Sequence, residues 1–150
     1  IVQEAINDPK KFKNISPQVL ITFLEKKLKK NPKDLQGWLI LSRTCVLSGH
    51  YQKADKYYQT ALEFFPKDEG ILLEIALLKK KTNQTESAEK YLYKLKNLYP
   101  SNLKARELLI EIFTTNFFQM KAREEFKELV ILKKGDKEYL ESIKKKYNLY

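Results

Sequence analysis

The chain has 150 residues and a net charge of +10 at pH 7, from 29 Lys and Arg against 19 Asp and Glu. Its four glycines and five prolines are too few for the closely spaced turns of an all-β fold and favour long helices. No apolar run approaches the roughly 18 residues of a membrane span, and the single Cys45 excludes an internal disulfide or a multi-cysteine zinc site.

The first predicted elements are a short lead and one helix. The chain begins at Ile1 without an initiator Met, so we expect it to come from a longer or processed protein, with an upstream anchor or signal left open. Residues 1–15 are predicted to form a lead broken at Asn7-Asp8-Pro9. Ser16-Pro17 then predicts a helix start, because Ser caps helices and Pro suits the first helical position. The apolar stripe of this helix consists of Leu20, Leu24 and Leu28.

A fixed period governs the rest of the chain. Pro32, Pro66 and Pro100 lie 34 residues apart, and each ends a helical pattern. An Asp or Asn, whose side-chain oxygen accepts the free N–H groups of a first helical turn, keeps the same spacing. These predicted N-caps are Asp34, Asp68, Asn102 and Asp136. Four helices are therefore predicted to begin in phase.

Within each period, small residues and aromatics recur at matching positions. The first repeat carries Trp38, Leu41, Gly49, Tyr51, Ala54, Tyr58, Ala61 and Pro66. The second keeps Leu72, Ile75, Ala76, Ala88, Leu92 and Pro100, and the third keeps Leu109, Phe113, Ala122 and Phe126. Small residues such as Ala54 allow paired helices to lie close together. This pattern resembles the tetratricopeptide repeat (TPR), which implies stacked helix pairs.

The predicted fold is an all-α, right-handed TPR helical solenoid forming a single domain. Its parts are the lead and an orphan helix at 1–33, three helix pairs at 34–67, 68–101 and 102–135, and a capping helix at 136–150. The third repeat lacks the proline, and Lys134-Gly135 is interpreted as a helix C-cap. The capping helix is predicted to point Leu140, Ile143 and Tyr147 inward.

Residues that could carry chemistry are few and isolated. His50 is the only histidine, and we interpret it as a surface turn residue. Cys45 is expected to be a buried, inert packing residue. No catalytic residue, metal site or cofactor site is predicted, because no clustered carboxylates or Gly-rich phosphate loop accompany His50. The remaining aromatics are expected mainly in the core and between repeats; they include Tyr57, Phe64, Phe65, Tyr91, Tyr93, Tyr99, Phe117 and Phe118.

The first helix of each pair is predicted to line a concave, peptide-binding groove. The register indicates an exposed apolar floor with charged flanks, suited to an amphipathic helix or strand with some acidic groups. Its predicted residues are Leu39, Arg43, Val46, Leu73, Leu77, Lys80, Lys104, Leu108, Glu111 and Thr115. The alternative is that the N-terminal segment or the capping helix covers part of this face.

The stretch from Leu24 to Ala61 closely resembles the first repeat of the CcmI family of cytochrome c-type biogenesis proteins, the TPR subunit of CcmH in fused versions. The resemblance is carried by Leu28, Asn31-Pro32, Asp34, Gly37-Trp38, Leu41, Arg43, Gly49, Tyr51, Ala54, Tyr58 and Ala61. Ser42 and Cys45 stand where that family usually has Gly and Tyr.

The resemblance implies a periplasmic domain, tethered to the inner membrane only through an upstream anchor. Its implied partners are the C-terminal helix of apocytochrome c, which it would hold for haem ligation, and other cytochrome c maturation proteins. No haem is expected on this chain, which has no Cys-x-x-Cys-His motif.

Two other functions stay open on sequence grounds. One is a generic TPR adaptor or secretion chaperone, cytoplasmic, with an unknown partner peptide. The other, nucleic-acid binding, is disfavoured because the positive charge is almost all Lys, whereas Arg makes the bidentate contacts to bases and phosphates. The only arginines are Arg43, Arg106 and Arg123. A basic surface would nevertheless favour acidic partners or anionic lipid headgroups.

Overall fold

The computed structural model describes residues 2–6, 8, 10 and 13–150, and the regular structure within them is helical. The predicted break at Asn7-Asp8-Pro9 falls mostly outside the described residues, since of these three only Asp8 is described. The helices are α1 (Val2–Ile6), α2 (Pro17–Lys30), α3 (Leu35–Leu47), α4 (Tyr51–Phe64), α5 (Glu69–Lys81), α6 (Thr85–Leu98), α7 (Leu103–Thr115), α8 (Gln119–Leu132) and α9 (Lys137–Lys146).

Side-chain caps begin the helices where the sequence predicts them. The Asp34 carboxylate accepts from the Gly37 N–H at 3.0 Å, and Asp68 accepts from the Ile71 N–H at 2.8 Å. Ser16, Asn102 and Asp136 make the same bond to the residue three positions on. Each such cap contributes about 1 kcal/mol to helix stability. The predicted N-caps are confirmed.

The turn inside each helix pair requires one left-handed residue. Gly49, Asn83 and Phe117 have φ angles of 78°, 59° and 63° and lie one period apart. After each, the next residue's N–H reaches back to a carbonyl five residues earlier, as in the bond from His50 to Cys45 at 2.8 Å. This is the Schellman helix end, in which Gly is the favoured left-handed residue.

The turn between successive pairs needs no left-handed residue, which corrects the interpretation of Lys134-Gly135. Helix α8 ends at Leu132 with Lys133 as its C-cap, and Gly135 is not among the positive-φ residues. The Asp136 N–H donates to the Lys133 carbonyl at 2.8 Å, as Asp68 does to Phe65 and Asn102 to Tyr99. The third repeat therefore keeps the same turn without its proline.

The chain divides into two compact units, Ile1–Ile71 and Leu72–Tyr150. In the first unit, α3 packs against both α2 and α4. Its core combines the stripe of α2 with residues of the first repeat, and the buried residues include Leu20, Leu24, Leu28, Trp38, Leu41, Cys45, Ala54, Tyr58 and Ala61. The Trp38 indole N–H donates to the Pro32 carbonyl at 2.7 Å, which satisfies its polar group beside the core.

In the second unit, α7 packs between α6 and α8, and α9 contacts α8. Ile143 of α9 is buried, whereas Leu140 and Tyr147 are half-buried. The Tyr139 hydroxyl donates to Glu107 of α7 at 2.5 Å. The core of this unit includes Ile75, Ala88, Leu92, Leu95, Leu109, Phe113, Ala122 and Leu129. Within the described residues, no helix is both long and apolar enough to cross a membrane.

Candidate peptide-binding surface

In the first unit, the predicted groove residues of α3 are only partly accessible. Arg43 is exposed and Val46 is half-buried, but Leu39 is 6% exposed. The prediction that Leu39 offers an exposed apolar floor is wrong, because its side chain is buried. Whether Arg43 and Val46 contact a ligand stays a prediction.

In the second unit, the predicted groove residues range from buried to exposed. Leu77 is 37% exposed, while Leu108 is 2% exposed and belongs to the core, so the expectation of an exposed Leu108 is also wrong. Leu73 is half-buried, and Lys104 and Thr115 are exposed. The apolar part of an accessible surface here is therefore reduced chiefly to Leu77.

A concavity of about 440 Å³ brings several of these residues together. We call its lining the α5–α7 surface; it consists of Leu77, Lys80, Lys81, Asn83, Thr85, Glu111, Ile112, Thr115 and Asn116. Leu77, Lys80, Glu111 and Thr115 were all predicted from register. Asn83, Thr85 and Asn116 were not, because they lie in or after helix-end turns that a helical register does not cover.

The polar centre of the α5–α7 surface is an ion pair. Lys80 Nζ lies 2.7 Å from Glu111 Oε1, and both side chains are 35% exposed. An exposed pair of this kind contributes little to stability because water screens it. It leaves the two charged groups available to exchange partners with a ligand. The amide of Asn116 donates to the Ile112 carbonyl at 2.7 Å, which orders the end of α7.

The first unit has its own concavity, of about 530 Å³, formed by α2, α3 and α4. Its lining includes Glu25, Trp38, Tyr57 and Phe64. The Tyr57 hydroxyl donates to Glu25, whose carboxylate also lies 3.0 Å from Lys53 Nζ. Trp38 and Tyr57 are tilted rings with centroids 6.3 Å apart. This concavity was not predicted from the sequence, because Tyr57 and Phe64 were expected to lie in the core.

Hydrogen bonding, charge and burial together set the protonation states of Glu25 and Tyr57 in this concavity. The hydrogen bond from Tyr57 lowers the pKa of Glu25, assisted by Lys53 and opposed by partial burial. Burial, followed by the hydrogen bond to Glu25, raises the pKa of Tyr57 well above its ordinary value. Tyr57 therefore stays a neutral donor and Glu25 a charged acceptor at neutral pH.

Neither Cys45 nor His50 lines either of these two concavities. Cys45 is fully buried, and burial raises the pKa of its thiol, so the predicted packing role is confirmed. His50 is exposed in the turn before α4 and makes no side-chain cap hydrogen bond. In the described part of the chain, no group of three or more His, Cys, Asp or Glu side chains could hold a metal ion.

Several aromatics expected in the core are exposed. Phe117 is 89% exposed and Phe118 is 52% exposed, so the expectation of burial is wrong for both. They occupy the turn between α7 and α8. Tyr93 and Phe64 are also partly exposed, at 37% and 39%.

Comparisons with known proteins agree with this architecture. The model of the tetratricopeptide repeat (TPR_8) matches residues 35–68 and 70–102. No curated protein sequence matches the chain significantly.

Solved structures share the fold at low sequence identity. A crystal structure of MamA protein is 16% identical over 99% of this chain and 83% of its own, with a TM-score of 0.73. A tetratricopeptide repeat protein from Parabacteroides merdae is 19% identical over 98% of this chain and 60% of its own, with a TM-score of 0.74. YrrB, described as a TPR protein with an unusual peptide-binding site, is 16% identical over 77% of this chain and 60% of its own, with a TM-score of 0.63.

Identities this low establish the fold alone. Together with the repeat match and the wholly helical regular structure of the described residues, they confirm the predicted fold class. The chain therefore carries tetratricopeptide repeats at residues 35–68 and 70–102 and has the all-α fold of TPR-type helical solenoids.

Proposed function

We propose that this protein binds a peptide segment of a partner protein on the α5–α7 surface. The observation that carries the proposal is the meeting of Leu77, Lys80, Glu111 and Thr115 around one concavity. Protein binding is the usual role of TPR repeats, and YrrB is a structural neighbour described as having a peptide-binding site. No residue of the α5–α7 surface pairs a nucleophile with a general base, so binding is the chemistry that these side chains support.

The lining favours an amphipathic ligand. Leu77 offers apolar contact, Asn83 and Asn116 offer amide groups for backbone hydrogen bonds, and Lys80 attracts a carboxylate. A ligand carboxylate would have to compete with Glu111 for Lys80. Because that ion pair is only partly buried, exchanging its partner costs little.

More specifically, we propose that the bound peptide is the C-terminal helix of an apocytochrome c. The support is the resemblance of residues 24–61 to the first repeat of CcmI proteins. A role in cytochrome c maturation, with other maturation proteins as partners, follows from that resemblance. So does a periplasmic location with an inner-membrane tether. A generic adaptor or secretion chaperone, located in the cytoplasm, is the alternative.

Calorimetric titration with an apocytochrome c C-terminal peptide and with its scrambled sequence tests both the peptide-binding proposal and the apocytochrome proposal. We expect a Kd of about micromolar for the native peptide, since a flexible segment loses entropy on ordering. Leu77→Glu should abolish binding by placing an unpaired charge against the ligand. Leu98→Glu is the matched control, because Leu98 has the same 37% exposure but does not line the α5–α7 surface.

The outcomes distinguish general peptide binding from specific binding of apocytochrome c. Tight binding of the native peptide with loss on scrambling supports the apocytochrome proposal. Equal binding of both peptides, still sensitive to Leu77→Glu, would leave only the generic adaptor. Binding that survives Leu77→Glu would contradict the α5–α7 surface itself.

A further inference from the structure

The edge of the second unit around the turn from α7 to α8 is unusually apolar for an exposed loop. Phe117, Phe118 and Met120 follow one another there with exposures of 89%, 52% and 78%. Tyr150, 67% exposed, is tied to the first turns of α8, because its carbonyl accepts from Arg123 Nη2 at 2.9 Å. We call Phe117, Phe118, Met120 and Tyr150 the aromatic edge.

The backbone conformation of Phe117 is strained and therefore costs folding free energy. Its φ is 63°, and the equivalent left-handed residues in the two preceding repeats are Gly49 and Asn83. Gly adopts this conformation without strain and Asn tolerates it, whereas a bulky side chain with positive φ is an outlier. Phe117 does not offset that cost by burying its ring. Strain without packing at an exposed aromatic points to a role outside folding.

Cations surround the aromatic edge. Lys121 Nζ lies 5.3 Å from the centre of the Phe118 ring, and Lys144 Nζ lies 4.9 Å from the Tyr150 ring. Arg123 holds the Tyr150 carbonyl, and Lys145 and Lys146 complete the last turn of α9. Of the acidic side chains nearby in sequence, Glu111 and Glu125 already pair with Lys80 and Lys96, Glu124 follows in α8, and Glu141 lies 3.9 Å from Lys144. The local charge is therefore positive, in keeping with the net charge of +10.

We infer that the aromatic edge docks on an anionic lipid bilayer. Phe, Tyr and Met side chains partition into the boundary between headgroups and acyl chains, and flanking Lys and Arg bind the anionic headgroups. A second copy of this chain fits the edge less well, because it would bring a second +10 charge to a cationic surface. This contact differs from the sequence-based expectation that the membrane is reached only through an upstream anchor, and it does not depend on the proposed peptide ligand.

Co-sedimentation with vesicles of phosphatidylcholine, with and without phosphatidylserine, tests the inference. The protein should bind the phosphatidylserine vesicles, and binding should weaken as salt rises. Phe117→Asn should lower the partition coefficient about tenfold or more. That variant should not fail by unfolding, because Asn83 already fills the same position in the preceding repeat. Ile131→Ser is the matched control: Ile131 is 77% exposed but lies at the opposite end of α8, and its loss should leave binding unchanged.

A fluorescent variant distinguishes insertion from adsorption by lysines alone. The only Trp of the chain, Trp38, is buried, so its emission should not respond to vesicles. Phe117→Trp should keep binding and shift its emission to the blue when vesicles are added. The inference is overturned if Phe117→Asn binds like the parent, or if Ile131→Ser loses as much binding as Phe117→Asn. It is likewise overturned if the emission of Phe117→Trp stays unshifted when vesicles are added.

Discussion

Among single residues, Ser42 stands out as a buried polar side chain whose hydrogen bonding is unsatisfied. It is fully buried in α3, and its hydroxyl has no hydrogen-bond partner among the described residues. A buried hydroxyl without a partner loses its hydration and regains nothing.

We predict that Ser42→Ala raises the free energy of unfolding by about 1 kcal/mol, since it removes an unsatisfied polar group and improves helix propensity. Urea unfolding followed by circular dichroism measures the change. Ser142→Ala is the control, because Ser142 is exposed and its hydroxyl already donates to the Tyr139 carbonyl. A destabilised Ser42→Ala variant would show that the hydroxyl does have a partner.

At the scale of helices, a charged network links α6, α7 and α8. Lys96 Nζ lies 2.8 Å from the buried Glu125 and 3.3 Å from Glu128, and Arg106 bonds to Glu128 and to the Pro100 carbonyl. Burial alone would raise the pKa of Glu128, but the Arg106 hydrogen bond and Lys96 together hold that pKa below its ordinary value. The network thus ties three helices through one carboxylate.

Acid should weaken this unit partly through Glu128. Because its folded-state pKa is depressed, Glu128 contributes stability that is present above about pH 4.3 and is lost as the pH falls through the folded-state pKa. Urea unfolding at a series of acidic pH values should therefore show a shallower loss of stability in Glu128→Gln than in the parent. Glu63→Gln, at an exposed position of α4, controls for the loss of one carboxylate. An identical slope in Glu128→Gln and the parent would rule out this contribution.

Helix pairing itself rests on small residues. Ala54 and Ala122 are fully buried at equivalent positions of the first and third repeats. Either alanine replaced by Leu should destabilise the protein by about 1–3 kcal/mol, because the added atoms force paired helices apart. Thermal unfolding measures the effect, with Gln52→Leu, at an exposed position of α4, as the control. Parent-like melting of both alanine variants would show that the assigned pairing is wrong.

At the scale of the whole molecule, α9 ends the second unit. It buries Ile143, and Tyr139 bonds to Glu107 of α7. Deleting residues 136–150 should expose the apolar surface that these residues cover, and dye binding or aggregation should rise. A truncated protein that stays monomeric with an unchanged unfolding midpoint would remove the capping role of α9.

The local structure of this protein follows from its amino-acid sequence. We could predict the helix starts, the 34-residue period and the close packing at Ala54 and Ala122. A helix cap or a close contact within a helix pair depends on residues that are near one another in the chain. The exposure of individual side chains, in contrast, depends on the packing of helices that are distant in the chain. Leu39 and Leu108 occupy the predicted groove register yet are buried, whereas Phe117 matches a core pattern yet is exposed. The physical reason is that burial depends on which distant helices cover a side chain, and helical register specifies a direction but not a neighbour.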